Sequence, residues 1–353
     1  MFDQKGALPQ RAFPRTYRSL PMRFLLRADA GIQTGTGHVM RCLALAEELM
    51  GREHEVLLRG TLGGVEWLHR QVAMARLPHE EAPSATLDIP RSAEEGWNAV
   101  VFDSYTIDPV AISQLNAVTP VLAIIDGDDR GITAWRYLDQ NLGAERQSRR
   151  PEVGRSLLAG SRYALVRRAV RELRRDAGLP LPLNPSVLAF MGGSDPLGAV
   201  RQLAAALRGL PGNVTVTLVT APAWQREVRA LVAGRARTRI LEPTADFPEL
   251  LAHANIVVSA TGTSAWDICT MGIPAVFAAV VDNQRAGLRA IVEAGVALGI
   301  DASDDLKKLE GVRDLVQLLL SDESLRRQRA EASLQSFDGC GASRVADELE
   351  KLG

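Results

Sequence analysis

MRFLLRADAGIQTGTGHVMRCLALAEEL, residues 22–49, runs from a short apolar stretch through a glycine-rich turn into an amphipathic segment. The apolar stretch 22–27 is strand-length, and the segment 38–51 places Leu43, Ala46, Leu49 and Met50 on one helical face. A strand passing through a tight turn into a helix is the unit of parallel α/β layers. The same alternation continues along the chain. Strands are predicted at 54–58, 98–103 and 121–126 in the first half, and at 187–191, 213–219, 237–241, 255–259 and 274–278 in the second. Between the halves, DAGLPLPLNPS (176–186) holds three prolines, which fix φ and remove amide donors, so it reads as an extended linker. The fold class expected is α/β, with two doubly wound Rossmann-like domains facing a cleft. The first domain is assigned to 22–175 and the second, with C-terminal helices, to 187–353, while the polar segment 1–21 reads as a disordered extension.

The composition of the 353 residues narrows the function classes. Apolar residues make up 46% and charged residues 24%, the balance of a globular protein. A formal charge of −1 argues against a dedicated nucleic-acid binder, which needs a basic excess. The ten arginines within 146–175 read as a solvated face, with an anionic ligand as the other possibility. Cys42, Cys269 and Cys340 are too few for a disulfide framework or a zinc site, and the first two sit in apolar helical patterns. No run of about 18 apolar residues is present to span a bilayer, and the first 21 residues lack the apolar centre of a secretory signal. A cytoplasmic location is the expectation.

In doubly wound domains ligands bind at the carboxyl ends of the strands, so the chemistry is sought in six loops. In ADAGIQTGTGH, Gly35 and Gly37 let backbone approach a ligand, and the following helix start offers free amides to an anion. His38 lies on that first turn, where the helix dipole favours the neutral imidazole that can take a proton from water. Its alternative is a ring that only binds the loop backbone. FDSYTID (102–108) places Asp103 and Tyr105 at the next strand end, as cleft residues or as an ordinary turn. IIDGDDR (124–130) clusters Asp126, Asp128 and Asp129, which suit a divalent cation beside phosphates but also suit turn and helix caps. MGGSDP (191–196) offers Gly192, Gly193 and Ser194 to a diphosphate at a helix N-terminus. In SATGTSAWDICTMGIP (259–274), Thr263 and Ser264 can bind phosphate oxygens, and Asp267 either takes ribose hydroxyls or serves the helix dipole. VVDNQ (280–284) adds the amides of Asn283 and Gln284. His54, His69, His79 and His253 show no metal-ligand spacing and read as surface or packing residues.

Taken in order, these segments, with DQNLGAE (139–145) and GSRYALVR (160–167), resemble the UDP-sugar hydrolases of pseudaminic acid biosynthesis. The resemblance runs from about residue 22 to about residue 300. It implies the glycosyltransferase B architecture, similar also to the enzyme that adds N-acetylglucosamine to lipid I. It further implies metal-free, cofactor-free hydrolysis of UDP-2,4-diacetamido-2,4,6-trideoxy-β-L-altropyranose to UDP and the free sugar, in the service of surface glycosylation. By the same resemblance His38 positions and deprotonates the attacking water, and Tyr105 stands beside the reaction centre. The implied partner is a small-molecule UDP sugar, held also by Arg41, with Asp29 and Asp103 either orienting His38 or holding sugar substituents. Asp267 stands where the family more often has Glu. Two other functions fit the same residues: a UDP-sugar glycosyltransferase of the same architecture, and a sugar-nucleotide-binding protein without turnover.

Overall fold

The computed structural model describes residues 20–31, 34–83, 86–146 and 157–353. The extension 1–19 and part of the arginine-rich run, 147–156, lie outside them.

Two parallel sheets form the molecule. The first contains β1 (Arg23–Ala28), β2 (Glu55–Arg59), β3 (His79–Glu80), β4 (Ala99–Asp103), β5 (Val121–Ile124), β6 (Arg136–Asp139) and β7 (Leu157–Ala159), in the order β3-β2-β1-β4-β5-β6-β7. The second contains β8 (Ser186–Phe190), β9 (Thr215–Val219), β10 (Thr238–Leu241), β11 (Ile256–Ala260), β12 (Ala275–Ala279) and β13 (Leu298–Asp301), in the order β10-β9-β8-β11-β12-β13. Every pairing among these strands is parallel. The central strands β1, β4, β11 and β12 are apolar almost throughout because both faces of each sheet are covered. The apolar runs in the sequence mark nine of these strands to within a residue or two. They do not mark the short edge strands β3 and β7, nor β6 and β13, whose runs are brief and interrupted by polar residues.

Each sheet reverses its winding at one place, between β1 and β4 in the first and between β8 and β11 in the second. The register fixes which loops become neighbours there. Ala28 pairs with Asp103, so the glycine-rich loop after β1 lies beside the FDSYTID loop. Phe190 pairs with Ser259, which sets the MGGSDP loop beside the ATGTS loop.

Helix α1 (Gly37–Gly51) buries Val39, Cys42, Leu43, Leu45, Ala46 and Leu49 in the first core. The glycine just before it, Gly35, takes φ +80°, and Gly31 and Gly35 exchange backbone hydrogen bonds of 3.0 and 2.8 Å. This closes the loop and delivers the chain to α1. Cys42 and Cys269 are buried free thiols, as the apolar pattern around them predicts, and burial pushes the Cys269 thiol up to about 12.

One boundary departs from the expected partition. The helix Gly341–Leu349, assigned by sequence to the second domain, packs Ala342, Val345, Ala346 and Leu349 into the first core against α1. Arg52 secures it through Asp347 (2.7 Å) and Glu350 (2.9 Å), and His54 Nε2 meets Glu350 at 2.9 Å. An apolar stripe at 3–4 residue spacing announces a buried helix face but does not name the surface it covers.

Candidate active site

His38 is the second residue of α1, and the β1–β4 register brings Asp103 to its ring: Nδ1 and Asp103 Oδ1 are 2.5 Å apart. Asp103 is 1% exposed. Burial on its own would raise this carboxyl, but the charges of Arg41 and His38, and their hydrogen bonds, hold it well below the usual carboxylate range. An ionised carboxylate only accepts, so His38 Nδ1 carries the hydrogen and Nε2 is left as the base. Arg41 Nη2 stands 3.4 Å from the same Nδ1, a longer approach than the one Asp103 makes.

Arg41 lies one turn along α1 from His38 and is buried between two carboxylates. Its Nε and Nη2 donate to Asp103, the latter at 2.6 Å, while Nη1 and Nη2 donate to Asp126 at 3.2 and 3.1 Å. Burial works against the guanidinium charge, yet the two carboxylates more than restore it. Asp126 also accepts from Tyr105 Oη and from Asn141 Nδ2 (3.1 Å). Burial would raise Asp126, and Arg41 instead holds it low. Tyr105 is half exposed and crosses the His38 ring edge to face, with centroids 4.8 Å apart. Partial burial, and then the Asp126 charge, push its phenol up, so it remains a protonated donor.

A cleft opens between the domains. From the first domain it is lined by Thr36, Met40, Arg41, Trp67 and Gln71; from the second by Gly192, Gly193, Thr263, Ser264 and Asp267, with Phe190, Thr244 and Phe247 beyond. His38 and Tyr105 do not line it; Arg41 connects their cluster to its wall. Asp267 is half-buried in the cleft. Burial pushes its carboxyl up to about 7, against the opposing charge of Arg167. Arg167 also lines the cleft, held by Glu47 at 2.6 Å and by Gln71.

The remaining candidates have other surroundings. Asp29 is buried and engaged with Arg27 Nη1 (2.6 Å) and the Thr61 amide (3.1 Å), away from the cleft lining, where it braces the loop after β1. Asp128 and Asp129 accept from the amides of Arg130 and Gly131, which are turn caps. No group of three His, Cys, Asp or Glu among the described residues could hold a metal ion. Asn283 is exposed, and Gln284 turns back to accept from the Val280 amide at 2.9 Å. The helix N-terminus expected to meet a diphosphate after MGGSDP is already occupied: Asp195 accepts from the amides of Ala199 (2.9 Å) and Val200 (3.0 Å). The helix Ser264–Thr270 carries no side-chain cap. Trp67 and Gln71 join the site without any motif that marks them in the sequence, while Asn141 and Arg167 lie within the DQNLGAE and GSRYALVR segments, where nothing local singles them out as site residues. A tryptophan in one helix and an arginine in a basic run give no local sign that they share a cleft.

No protein-family model matches the chain. The spore coat polysaccharide biosynthesis protein SpsG of Bacillus subtilis (strain 168) is 22% identical over 351 residues, covering 92% of this chain and 97% of that protein. The UDP-N-acetylglucosamine--N-acetylmuramyl-(pentapeptide) pyrophosphoryl-undecaprenol N-acetylglucosamine transferase of Thermus thermophilus is 27% identical, covering 89% and 96%. The crystal structure of Acinetobacter baumannii MurG superposes with a TM-score of 0.62 at 18% identity, covering 94% of this chain and all of that one. Two facing parallel α/β domains, full-length superposition and a cleft at both topological switch points together show that this chain has the glycosyltransferase B fold.

Proposed function

We propose that this chain transfers the glycosyl group of a UDP sugar to a hydroxyl nucleophile that His38 deprotonates. The observation that carries the reading is the Asp103–His38 pair, locked by Arg41 at the wall of an interdomain cleft. In the reaction the nucleophile's oxygen forms a bond to the anomeric carbon, its proton passes to His38 Nε2, and the bond from that carbon to the diphosphate oxygen breaks. UDP leaves with the electron pair. Asp103 stabilises the imidazolium that forms, as a buried carboxylate does in other base-assisted transfers. Asp267 is suited to the ribose hydroxyls, and the loops at Gly192–Gly193 and Thr263–Ser264 to the diphosphate, whose growing negative charge needs donors as the bond breaks. The Thermus relative, by its name a transferase drawing on UDP-N-acetylglucosamine, supports transfer to an acceptor.

A second reading makes water the nucleophile and a UDP-linked 2,4-diacetamido-2,4,6-trideoxy-L-altrose the substrate. The GTGH and FDSY segments favour it, as does a Tyr105 ring packed on His38 where an acceptor would otherwise approach. Following UDP release from UDP-N-acetylglucosamine and from the diacetamido sugar, in chelator, with and without acceptor, separates the two. Acceptor-dependent release is expected for transfer and acceptor-independent release for hydrolysis. Absence of turnover with both donors, despite tight UDP binding, would defeat both.

A further inference from the structure

Among the described residues that line the cleft, Trp67 alone has a buried side-chain polar atom with no acceptor in the protein: its indole N–H. Buried donors without acceptors are rare because they forfeit their hydration and gain nothing in return. Trp67 lies at the start of helix α2 (Glu66–Met74), yet its ring reaches the second domain. A Cβ placed on Gly193 would lie 2.7 Å from Trp67 Cζ2 and 2.9 Å from Thr36 Oγ1, so only glycine fits beneath the ring. The carbon in contact is separated from the N–H by a single ring atom. The orphan donor therefore belongs to the edge that meets the glycine loop. The domains meet a second time nearby, where a Cβ on Gly37 would stand 3.1 Å from Thr263.

From this arrangement we infer that Trp67 is a ligand-binding residue, whose N–H donates to an anionic oxygen of a diphosphate seated at the Gly192–Gly193 loop. The inference rests on the UDP-sugar reading of the cleft and adds a contact from the opposite domain. A donor that finds no acceptor within the protein and gains one from the ligand makes closure more favourable with ligand than without. The first domain thereby grips the leaving group that the second domain holds.

The test uses Trp67→Phe, which keeps an aromatic ring on the helix but removes the N–H together with the benzo carbons that meet Gly193. Calorimetric titrations with UDP, UMP, uridine and inorganic pyrophosphate are compared with the wild type. A hydrogen bond to a charged acceptor predicts about a 10-fold or greater loss of affinity for UDP and for pyrophosphate, with uridine unchanged. Gly193→Val, which displaces the ring, should weaken UDP further. Unchanged UDP affinity in Trp67→Phe, or an equal loss for uridine, overturns the assignment. Wild-type protein that binds pyrophosphate but neither UDP nor uridine would instead defeat the nucleotide reading. In that event the Trp67 contact stands only if the variant loses pyrophosphate.

Discussion

His38, Asp103 and Arg41 divide the work of a base. Asp103 fixes the tautomer, Arg41 fixes Asp103, and Nε2 is left to take the proton. His38→Ala should therefore lower turnover by about 100-fold or more while UDP affinity, measured by calorimetry, stays nearly unchanged. Asp267 gives a pH signature of the opposite origin. Its ordinary value near 3.8 is pushed up to about 7, so the folded protein holds a proton there that the unfolded chain has released. Stability from this group is complete below about pH 4 and is lost as the pH rises towards 7. Asp267→Asn should accordingly reduce the decline of melting temperature across that window. The carboxylates held low, such as Asp103 and Asp126, act in the other direction at lower pH and are common to both proteins, so the difference curve isolates Asp267. An unaltered profile would mean that Asp267 is ionised in the folded state.

Among the elements, the helix Val200–Leu207 shows how one side chain redirects a ligand loop. Asp195, held at φ +39°, folds back on the helix start and occupies the amides that the motif MGGSDP suggested for phosphate. The loop's usefulness then lies in Gly192 and Gly193 themselves, which leave space where a side chain would not. Removing the cap with Asp195→Ala should cost about 1 kcal/mol, visible as a lower denaturant midpoint, because two amides lose their acceptor. The closing helix Gly341–Leu349 makes a second element-scale point. Leu349 is fully buried in the first core although it lies at the far end of the chain. Leu349→Ala should cost about 2–5 kcal/mol. Hydrogen exchange should show the loss of protection in α1 and not in Val200–Leu207; the reverse pattern would place the helix with the second domain.

Over the whole molecule, two sheets set their switch points on either side of one cleft, and the closing helix ties the end of the chain to the first domain. No helix of the described residues is long and apolar enough to cross a membrane. The loops that meet across the cleft, Thr36–Gly37 and Trp67 from one domain and Gly193 and Thr263 from the other, bring a glycine to each point of contact. That choice lets the lobes come close without a clash and keeps the space between them for a ligand.

The sequence by itself determined the parallel α/β class, the strand and helix positions near the site, and the loops at which chemistry gathers. Those are local properties: apolar period, glycine turns and proline breaks act over a few residues. Only the tertiary structure decided that Asp103 turns to His38, that Asp29 is spent on Arg27, and that Asp195 takes the helix amides. The same holds for Trp67, which reaches Gly193 across the cleft, and for the last helix, which returns to the first core. The His38–Asp103 pair, the Trp67–Gly193 contact and the return of the last helix depend on strand register and domain packing, which bring together residues dozens to hundreds of positions apart. The Asp29 and Asp195 contacts are local, but no short-range pattern in the chain encodes which nearby polar group each carboxylate will meet.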